Sequence, residues 1–484
     1  MPNLLKEKKD LLIYLFLLFF SPMFFYNLGG YSLVDFDEAW WAEVATNILE
    51  RRNPLVLYFN GQPSFFHPPF GYSLIAISQG IFGVNEFASR LPSAVLGFGS
   101  VLLIYLIGKQ LFSKFVGLTS ALMLASSAWF VFRSRSANLD SILVFFFLLT
   151  LLLFITSNGR KRFIYLSAVS FSLLFLTKTF IGVSVLIPIF VYFLLNRKDY
   201  KFKIRHYCYT FLFSVSVLTP WLVANYLEFA NFRFLERLFS NALKAHNRIP
   251  PDITGIYNST PVAYLHFGIR EWFYPAIIGF FGSFLFVKKY PNILAIYAWI
   301  IPLMFAFLTN RETAIWHILP LYPAFGILIG VFLDGSLESF KKILNYLNRK
   351  KIGDIILKYV TFSILILLTV LSGKQIIEFK DDIGMFGSHQ TDIAAVSKSA
   401  ANFPDSLYLD NDHLLPSTVF YSKKNVKVIR ELPGTLKTAE GFIISGPKPS
   451  LLITEKWRLK KDNMEEFTYE VLTESGEYLL IRPL

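Results

Sequence analysis

The densest group of ionisable side chains outside the apolar runs is DFDEAWWAEVATNILE, residues 35–50. Its apolar residues recur at helical spacing, so the pattern predicts a short amphipathic helix along the membrane surface, with Trp40 and Trp41 near its apolar side. Asp35 and Glu38 have the spacing of a capping box, a structural role that does not use Asp37. A carboxylate beside the positive end of a helix stays ionised, as a general base requires. The residue types alone leave a catalytic and a structural role equally open for Asp37.

Two more ionisable residues stand at marked positions. His67, the only histidine among the first two hundred residues, lies in the proline-stiffened segment GQPSFFHPPF. A role in a site and an ordinary buried or surface position are both open for it. Asp140, in RSRSANLDSILVFF, either takes part in a site or caps the following apolar run together with Asn138.

Several cations lie near ends of apolar runs that the topology described below places outside the cytoplasm: Arg133, Arg135, Lys178, Arg248 and Arg311. The positive-inside rule disfavours cations there, although snorkelling side chains explain some exceptions. A lipid phosphate in a poorly solvated setting needs cationic partners, which a cluster of such residues would supply. Lys178, between two apolar runs in FLTKTFIG, is the strongest candidate because an unpaired ammonium group there is costly.

These residues belong to a chain whose composition requires a membrane. Of its 484 residues, 54% are hydrophobic and 17% are charged, which a soluble domain of ordinary design does not accommodate. The first apolar run follows a basic leader, but it is longer than a signal-peptide core and many further runs follow it. The net charge of +13 mostly reflects loops facing anionic lipid, and nucleic-acid binding is not indicated. The single cysteine, Cys208, excludes an intrachain disulfide.

Basic clusters set the orientation, because short cytoplasmic loops carry the excess of Lys and Arg. The clusters lie at residues 6–9, 109–114, 160–162, 197–205, 288–289 and 341–358. If all of them are cytoplasmic, the chain crosses the membrane eleven times, with the N-terminus inside and the C-terminus outside. The predicted spans are residues 10–28, 90–109, 116–132, 140–157, 163–178, 180–195, 207–224, 272–287, 292–308, 318–333 and 355–372.

The short run at residues 70–83, interrupted by Gly71, Gln79 and Gly80, is left out of this topology and predicted to be re-entrant or interfacial. We therefore predict a transmembrane domain over residues 1–372, with external loops at 29–89 and 225–271. A C-terminal extracytoplasmic domain over residues 373–484 follows. Within it, a helical stretch at about 390–402 precedes the apolar runs SLYLD, VKVIR, GFIIS and YLLIRPL, which is typical of a small α/β domain.

The order of these features resembles that of the GT-C glycosyltransferases in the group of protein O-mannosyltransferases and bacterial lipid A aminoarabinose transferases. The resemblance covers nearly the whole chain. It rests on the acidic external loop, FFHPPF, RLPSAVLGFGSVLLIYLIGKQLF, the arginine-rich segment ending in Asp140, LTK, PW and HILPLYP. Two departures concern the sugar or the acceptor: His67 replaces a lysine common in lipid A transferases, and the aromatic residue after the acidic pair is Trp40 or Trp41.

The resemblance implies transfer of a sugar from a polyprenyl (undecaprenyl) phosphate donor by inverting single displacement. It assigns the catalytic acidic group to Asp37 and Glu38, adds Asp140, and matches Lys178 to a lysine associated with the donor phosphate. Arg133, Arg135 and Arg248 are further candidates for the phosphate, and His67, Trp40 and Trp41 for the substrate. The expected acceptor is extracytoplasmic lipid A or lipopolysaccharide, with a protein as alternative, and the expected location is the bacterial inner membrane.

No cofactor is expected, because no residues have firm metal-ligand spacing, although acidic groups with His67 could bind a divalent cation weakly. Two functions from other classes stay open. A transporter or flippase of lipid-linked sugars would have membrane-embedded charges and often internal repeats, neither of which is clear. In a structural protein the acidic loop and the outward cations would be incidental. Convergence of Asp37, Asp140 and Lys178 on one cavity would separate these alternatives from an enzyme.

Overall fold

The chain is predominantly helical in the residues that the computed structural model describes, which are 8–157, 160–200, 204–232, 234–237, 261–309, 315–347, 350–380, 389–438, 441–459 and 468–484. Helices α1 to α19 of this part are, in chain order, Lys8–Leu18, Pro22–Phe25, Ala39–Arg51, Phe70–Phe82, Glu86–Leu111, Lys114–Ser126, Ala128–Ser134, Asp140–Thr156, Lys161–Phe175, Thr179–Val183, Leu186–Leu195, Ile204–Phe229, Pro261–Ile269, Phe273–Ser283, Ile293–Leu308, Tyr322–Tyr346, Lys350–Phe379, Asp392–Ala400 and Pro416–Ser422. Short 3-10 helices are Arg270–Trp272, Phe284–Phe286, Ile315–Leu321, Ile429–Glu431 and Lys456–Arg458. Apolar sequences fold this way in a bilayer because a helix satisfies its own backbone N–H and C=O groups.

Several helical segments are suited to cross a bilayer. Those long and apolar enough are Glu86–Leu111, Cys208–Phe229, Ile315–Tyr346 and Gly353–Glu378. The pair Lys114–Ser126 and Ala128–Ser134, bent by 67°, adds a further candidate. Shorter apolar helices are Leu11–Phe25, Phe70–Phe82, Asp140–Thr156, Thr179–Leu195 and Ile293–Leu308. Each span predicted from the sequence overlaps a described helix, and the protein is a polytopic α-helical membrane protein; the count of eleven stays a prediction.

Close packing of α6 and α16 depends on glycine. A Cβ at Gly326 would lie 3.0 Å from the Cα of Ser120, and one at Gly330 would lie 2.9 Å from the Cα of Val116. Small residues allow helix backbones to approach in lipid, where apolar burial gives little driving force for association. The 3-10 helix Ile315–Leu321, directly before α16, packs against α7 and α8.

The chain divides into two compact units. The first unit comprises Met1–Tyr26, Phe65–Gly71 and Pro92–Met385, and the second comprises Asn27–Ser64, Tyr72–Leu91 and Phe386–Leu484. The second unit thus combines C-terminal residues with residues of the first predicted external loop. The division into domains at residues 372 and 373 stays a prediction.

A five-stranded mixed sheet of C-terminal residues lies in the second unit. Its strands, in sequence order, are β3 (Leu407–Leu409), β4 (Val426–Val428), β7 (Leu451–Glu455), β8 (Tyr469–Ser475) and β9 (Tyr478–Pro483). The spatial order is β4-β3-β7-β9-β8. β3 is parallel to β4 and β7, and β9 is antiparallel to β7 and β8. Leu452, Ile481 and Phe442 belong to its buried core. The two small hairpins pair Tyr58–Phe59 (β1) with Gln62–Pro63 (β2) and Thr435–Thr438 (β5) with Gly441–Ile444 (β6).

The sequence patterns of the C-terminal residues correspond to elements of this unit. The runs SLYLD, VKVIR, GFIIS and YLLIRPL contain β3, β4, β6 and β9, and the helical stretch at about 390–402 contains α18. Helix α19 lies in the crossover that connects β3 to β4. Parallel strands need such a crossover because a tight turn cannot join them.

Helix α3 begins later than the sequence pattern predicts. Residues 35–38 form a turn and the helix is Ala39–Arg51. It is also more buried than a helix lying on a membrane surface, because Glu43, Thr46 and Asn47 are buried together with its apolar residues. Gln79 explains part of this burial: its side chain donates to the Ala42 carbonyl and accepts from the Thr46 hydroxyl.

Candidate active site

Asp37 lies in the turn before α3. Its N–H donates to the Asp35 carbonyl, and the residue between them, Phe36, has a left-handed backbone with φ of 50°. A bulky residue in that conformation is uncommon and is retained only where its surroundings enforce it. Asp37 as a residue is half-buried, so it combines a restrained backbone with partial exposure.

Glu38, the other half of the acidic pair, is buried and paired. It is 2% exposed, and both of its carboxylate oxygens accept hydrogen bonds of 2.7 Å from the guanidinium group of Arg90. Its Oε2 also accepts from the Val34 N–H. Through these contacts Glu38 ties the turn at residues 35–38 to Arg90 and to Val34. A catalytic role for Glu38 stays a prediction.

The predicted capping box of Asp35 and Glu38 is wrong. The residue at the N-cap position is Glu38, and neither carboxylate caps α3. Asp35 Oδ1 instead accepts a 2.7 Å hydrogen bond from the Ser417 N–H. The reason is that the N-cap of α3 is Glu38 and not Asp35, so Asp35 is out of reach of the first N–H groups of this helix and binds a segment far away in the sequence.

The two tryptophans after the acidic pair are both half-buried. The indole ring of Trp40 stacks on Phe59, with ring centroids 3.7 Å apart, and Trp41 lies against Tyr72 at 5.4 Å. These ring contacts fix the first turn of α3, directly after the acidic pair. Their assignment to substrate stays a prediction.

In the first unit, Asp140 is the centre of an ion-pair cluster with Arg133 and Lys178. Arg133 donates to Oδ2 from Nε at 3.0 Å and from Nη2 at 2.6 Å, and the Lys178 ammonium donates to Oδ1. The three side chains are at most 9% exposed. Buried charges are tolerated only when paired and hydrogen-bonded. Two cations against one carboxylate leave the cluster with a formal charge of +1, which suits an anionic ligand.

The capping alternative for Asp140 is resolved by these contacts. Asn138 Oδ1 accepts from the Asp140 N–H at 2.8 Å and so satisfies the N–H of the first residue of α8, whose N-cap position is Leu139. The Asp140 side chain is directed instead to Arg133 and Lys178. Arg133 reaches it from the end of α7, and Lys178 from the residue before α10.

His67 lies in the same electrostatic environment. The Phe70 N–H donates to the Leu176 carbonyl at 3.0 Å, which joins the His67 segment to the Lys178 segment. Burial, with smaller contributions from the charges of Lys178 and His317 and against the opposing effect of Asp140, lowers the pKa of His67 from 6.5 to about 3. The imidazole is therefore neutral near pH 7 and carries one N–H donor.

Two further neighbours of this cluster were not predicted from the sequence. The guanidinium group of Arg133 lies 5.1 Å from the ring centroid of Trp316, a cation–π contact. His317, the next residue, acts on the pKa of His67. The motif HILPLYP contained that histidine, but no spacing rule links it to residues 250 positions earlier.

The other predicted residues differ in position. Arg135 is 1% exposed, and its Nη1 donates to the Met23 carbonyl at 3.0 Å. Arg248 and Arg311 lie outside the described residues, as does much of the predicted loop 225–271. Over the described ranges, no group of three or more His, Cys, Asp or Glu side chains is arranged to hold a metal ion.

Comparison with known proteins identifies relatives. The family model described as dolichyl-phosphate-mannose-protein mannosyltransferase matches residues 66–223. A protein of Aquifex aeolicus (strain VF5) without a characterised function is 30% identical over 336 residues, 67% of this chain and 74% of the relative. The undecaprenyl phosphate-alpha-4-amino-4-deoxy-L-arabinose arabinosyl transferase of Pseudomonas savastanoi pv. phaseolicola is 29% identical over 203 residues. That alignment spans 41% of this chain and 38% of the relative.

Solved structures share the fold. The chain superposes on ArnT of Cupriavidus metallidurans bound to undecaprenyl phosphate with a TM-score of 0.73 and 15% identity, over 98% of this chain and 97% of that one. The apo oligosaccharyltransferase of Archaeoglobus fulgidus gives a TM-score of 0.57 and 11% identity, over 93% of this chain and 70% of that one. These superpositions establish the GT-C fold and leave the substrates to the chemistry of the site.

Proposed function

Because the chain belongs to the GT-C glycosyltransferases of the protein O-mannosyltransferase and aminoarabinose transferase group, we propose that it transfers a sugar from a polyprenyl-phosphate donor to an extracytoplasmic acceptor. The observation that carries this proposal is the buried cluster of Arg133, Asp140 and Lys178. It offers a net positive charge in a low-dielectric setting, where a lipid phosphate needs cationic partners. The solved structure of a related fold with undecaprenyl phosphate bound supports the same donor class.

The donor phosphate is proposed to bind to Arg133 and Lys178. Asp140 holds both cations in place before the ligand arrives, so that little side-chain freedom is lost on binding. The neutral imidazole of His67 and the neighbouring His317 can each donate an N–H to a phosphate oxygen. Such preorganised donors stabilise the charge that develops on the phosphate as it leaves the sugar.

The reaction is proposed to be a single displacement at the anomeric carbon with inversion of configuration. An acceptor hydroxyl attacks from the face opposite the phosphate, its proton passes to the Asp37 carboxylate, and the glycosidic bond to the phosphate breaks. If the acceptor is itself a phosphate, it is already anionic and needs no base. Asp37 then stabilises the positive charge that develops on the sugar ring.

Lipid A or lipopolysaccharide is the proposed acceptor, since several relatives bear names of undecaprenyl-phosphate aminoarabinose arabinosyl transferases. A protein acceptor is the second candidate, favoured by the description of the family model that matches residues 66–223. We further propose eleven transmembrane spans in a bacterial inner membrane, with Asp37 and the C-terminal residues on the extracytoplasmic side.

The test combines mass spectrometry with one substitution. Lipid A and envelope glycoproteins are compared between cells with and without the gene, and then in cells that carry Asp37→Asn. This change keeps the shape of the side chain and removes its charge, so transfer should fall by about 10²- to 10⁴-fold while the protein stays inserted and folded. Wild-type turnover by the variant would refute the role of Asp37.

A further inference from the structure

The turn that carries Asp37 is strained and therefore depends on its surroundings. Phe36 has φ of 50°, and its ring is 51% exposed. An exposed phenylalanine gains little burial energy in this position, so the ring itself does not explain the strained backbone. The cause must lie in the contacts of the residues on either side, which hold the turn against relaxation.

On the N-terminal side, the turn is held by α19 and its surroundings in the second unit. The Leu33 N–H donates to the hydroxyl oxygen of Tyr421 at 2.7 Å, and this hydroxyl donates to Glu86 Oε1 at 3.1 Å. Asp35 Oδ1 accepts from the Ser417 N–H at 2.7 Å. Ser417 lies in the first turn of α19, where backbone N–H groups have no partner within the helix, so Asp35 satisfies a donor that α19 leaves open.

On the C-terminal side, Glu38 is fixed by the two hydrogen bonds from Arg90. The ring of Phe36 lies against His413, with centroids 5.6 Å apart. Asp37 thus lies between two carboxylates that are held by hydrogen bonds: Asp35 accepts from the Ser417 N–H, and Glu38 accepts from Arg90. The three carboxylates of this short segment have different environments, although the sequence presents them as one acidic group.

We propose that Asp35, Ser417 and Tyr421 are positioning residues for Asp37, and that the C-terminal segment is in this way required for catalysis. The inference rests on the proposed function, in which Asp37 is the catalytic carboxylate. A displacement of about 1 Å in a catalytic group can lower the rate by about 100-fold. Loss of either contact should therefore lower kcat and leave donor binding unchanged.

The experiment compares substitutions at two positions in full-length protein in proteoliposomes. The vesicles contain the polyprenyl-phosphate sugar pool and the lipid fraction of the source envelope, and the rate is the release of undecaprenyl phosphate. Asp35→Ala removes the acceptor of the Ser417 N–H, and Tyr421→Phe removes the hydroxyl that binds Leu33 and Glu86. Both should lower kcat by about 10- to 100-fold. The affinity for undecaprenyl phosphate should stay within about twofold.

Asp35→Asn is the rescue variant, because the amide oxygen still accepts from the Ser417 N–H while the charge is lost. It should recover most of the rate that Asp35→Ala loses. Tyr346→Phe, at a tyrosine that is 88% exposed in the other unit, is the matched control for the loss of a hydroxyl. Thermal unfolding midpoints in detergent identify any variant that loses its fold.

The outcomes separate this inference from the proposed function. Folded Asp35→Ala and Tyr421→Phe proteins with wild-type kcat would overturn the positioning role, even if Asp37→Asn is inactive. An Asp35→Asn protein as inactive as Asp37→Asn would also overturn it, because the charge of Asp35 would then be required. An active Asp37→Asn protein would instead refute the catalytic assignment itself.

Discussion

Glu38 and Arg90, which are 52 residues apart in the sequence, form a bidentate ion pair with both hydrogen bonds at 2.7 Å. The Arg90 side chain is completely buried, and its Nη1 also donates to the carbonyls of Leu28 and Tyr31. The buried guanidinium group of Arg90 therefore joins Leu28 and Tyr31, which precede the Asp37 turn, to Glu38, the last residue of that turn.

Arg90→Met should destabilise the protein strongly. The substitution removes the partner of a buried carboxylate, and breaking such a pair costs about 3 to 5 kcal/mol. We expect a thermal unfolding midpoint in detergent that is lower by several degrees. Arg90→Lys should also lower it, because an ammonium group cannot make the two parallel hydrogen bonds. Arg430→Met, at an exposed arginine, is the control; equal midpoints for all three variants would show that the pair contributes nothing.

Part of this arrangement was predictable from the sequence. Apolar run length and the spacing of basic clusters predicted where the helices lie, because both follow from the thickness and charge of a membrane. However, α16 and α17 continue to Tyr346 and Phe379, beyond the predicted ends of their spans at residues 333 and 372. The resemblance singled out Asp140 and Lys178, which the structure brings together with Arg133.

Other parts depend on contacts that no local pattern encodes. The capping box failed because its spacing fits a helix starting near Asp35, whereas α3 starts at Ala39 and Asp35 binds Ser417. Arg90 is the first residue of the motif RLPSAVLGFGSVLLIYLIGKQLF and of the predicted span 90–109, and no local pattern indicates its pairing with Glu38. His317 was missed for a similar reason, since its proximity to His67 arises from the packing of helices distant in the chain.

Lys178→Met should weaken donor binding by about 10- to 100-fold. A charge-assisted hydrogen bond to phosphate contributes about 1.5 to 3 kcal/mol, and methionine keeps most of the apolar stem. The change also lowers the formal charge of the cluster from +1 to zero. The measurement is titration of undecaprenyl phosphate into purified wild-type and variant protein in nanodiscs.

The double variant Lys178→Met/Asp140→Asn tests whether charge alone explains that loss. It restores the formal charge of +1, with Arg133 as the remaining cation. If net charge governs affinity, the double variant should bind more tightly than Lys178→Met. Equal affinities for wild type and Lys178→Met would contradict the assignment and transfer the donor site to other cations, such as Arg135 or Arg248.

The eleven-span topology makes a direct prediction for Glu86. The 13-residue helix Phe70–Phe82, which makes up most of residues 70–83, extends only about 20 Å, less than the hydrocarbon thickness of about 30 Å. If this helix does not cross, a reporter fused near Glu86 should report an extracytoplasmic location. A fusion within residues 160–162 should report the cytoplasm and serves as the control; a cytoplasmic signal at Glu86 would require a different set of spans.

Glu43 should make the stability of the protein depend on pH. It is 8% exposed, and its Oε1 accepts a 2.8 Å hydrogen bond from Asn47 Nδ2. Burial, together with the nearby charge of Glu50, raises the pKa of Glu43 from 4.5 to about 8, against the effect of Asn47. Because the folded pKa exceeds the unfolded one, the contribution to stability is complete below pH 4.5 and is lost as the pH rises through about 8.

Glu43→Gln should therefore stabilise the protein by an amount that grows with pH. Glutamine keeps the oxygen that accepts from Asn47 and remains neutral at every pH. The substitution therefore removes only the free-energy cost of keeping Glu43 protonated in the folded protein at pH values where it ionises in the unfolded chain. At a linkage of about 1.4 kcal/mol per pH unit, the gain relative to wild type should be about 2 to 4 kcal/mol near pH 7 and should level off above about pH 8. The difference in thermal unfolding midpoint, measured between pH 5 and pH 9, provides the check. Glu431→Gln, at an exposed glutamate, should show no such trend. A Glu43→Gln difference that is flat across this range would mean that Glu43 is ionised in the folded protein, and its burial beside Asn47 would then have to be compensated by a cation.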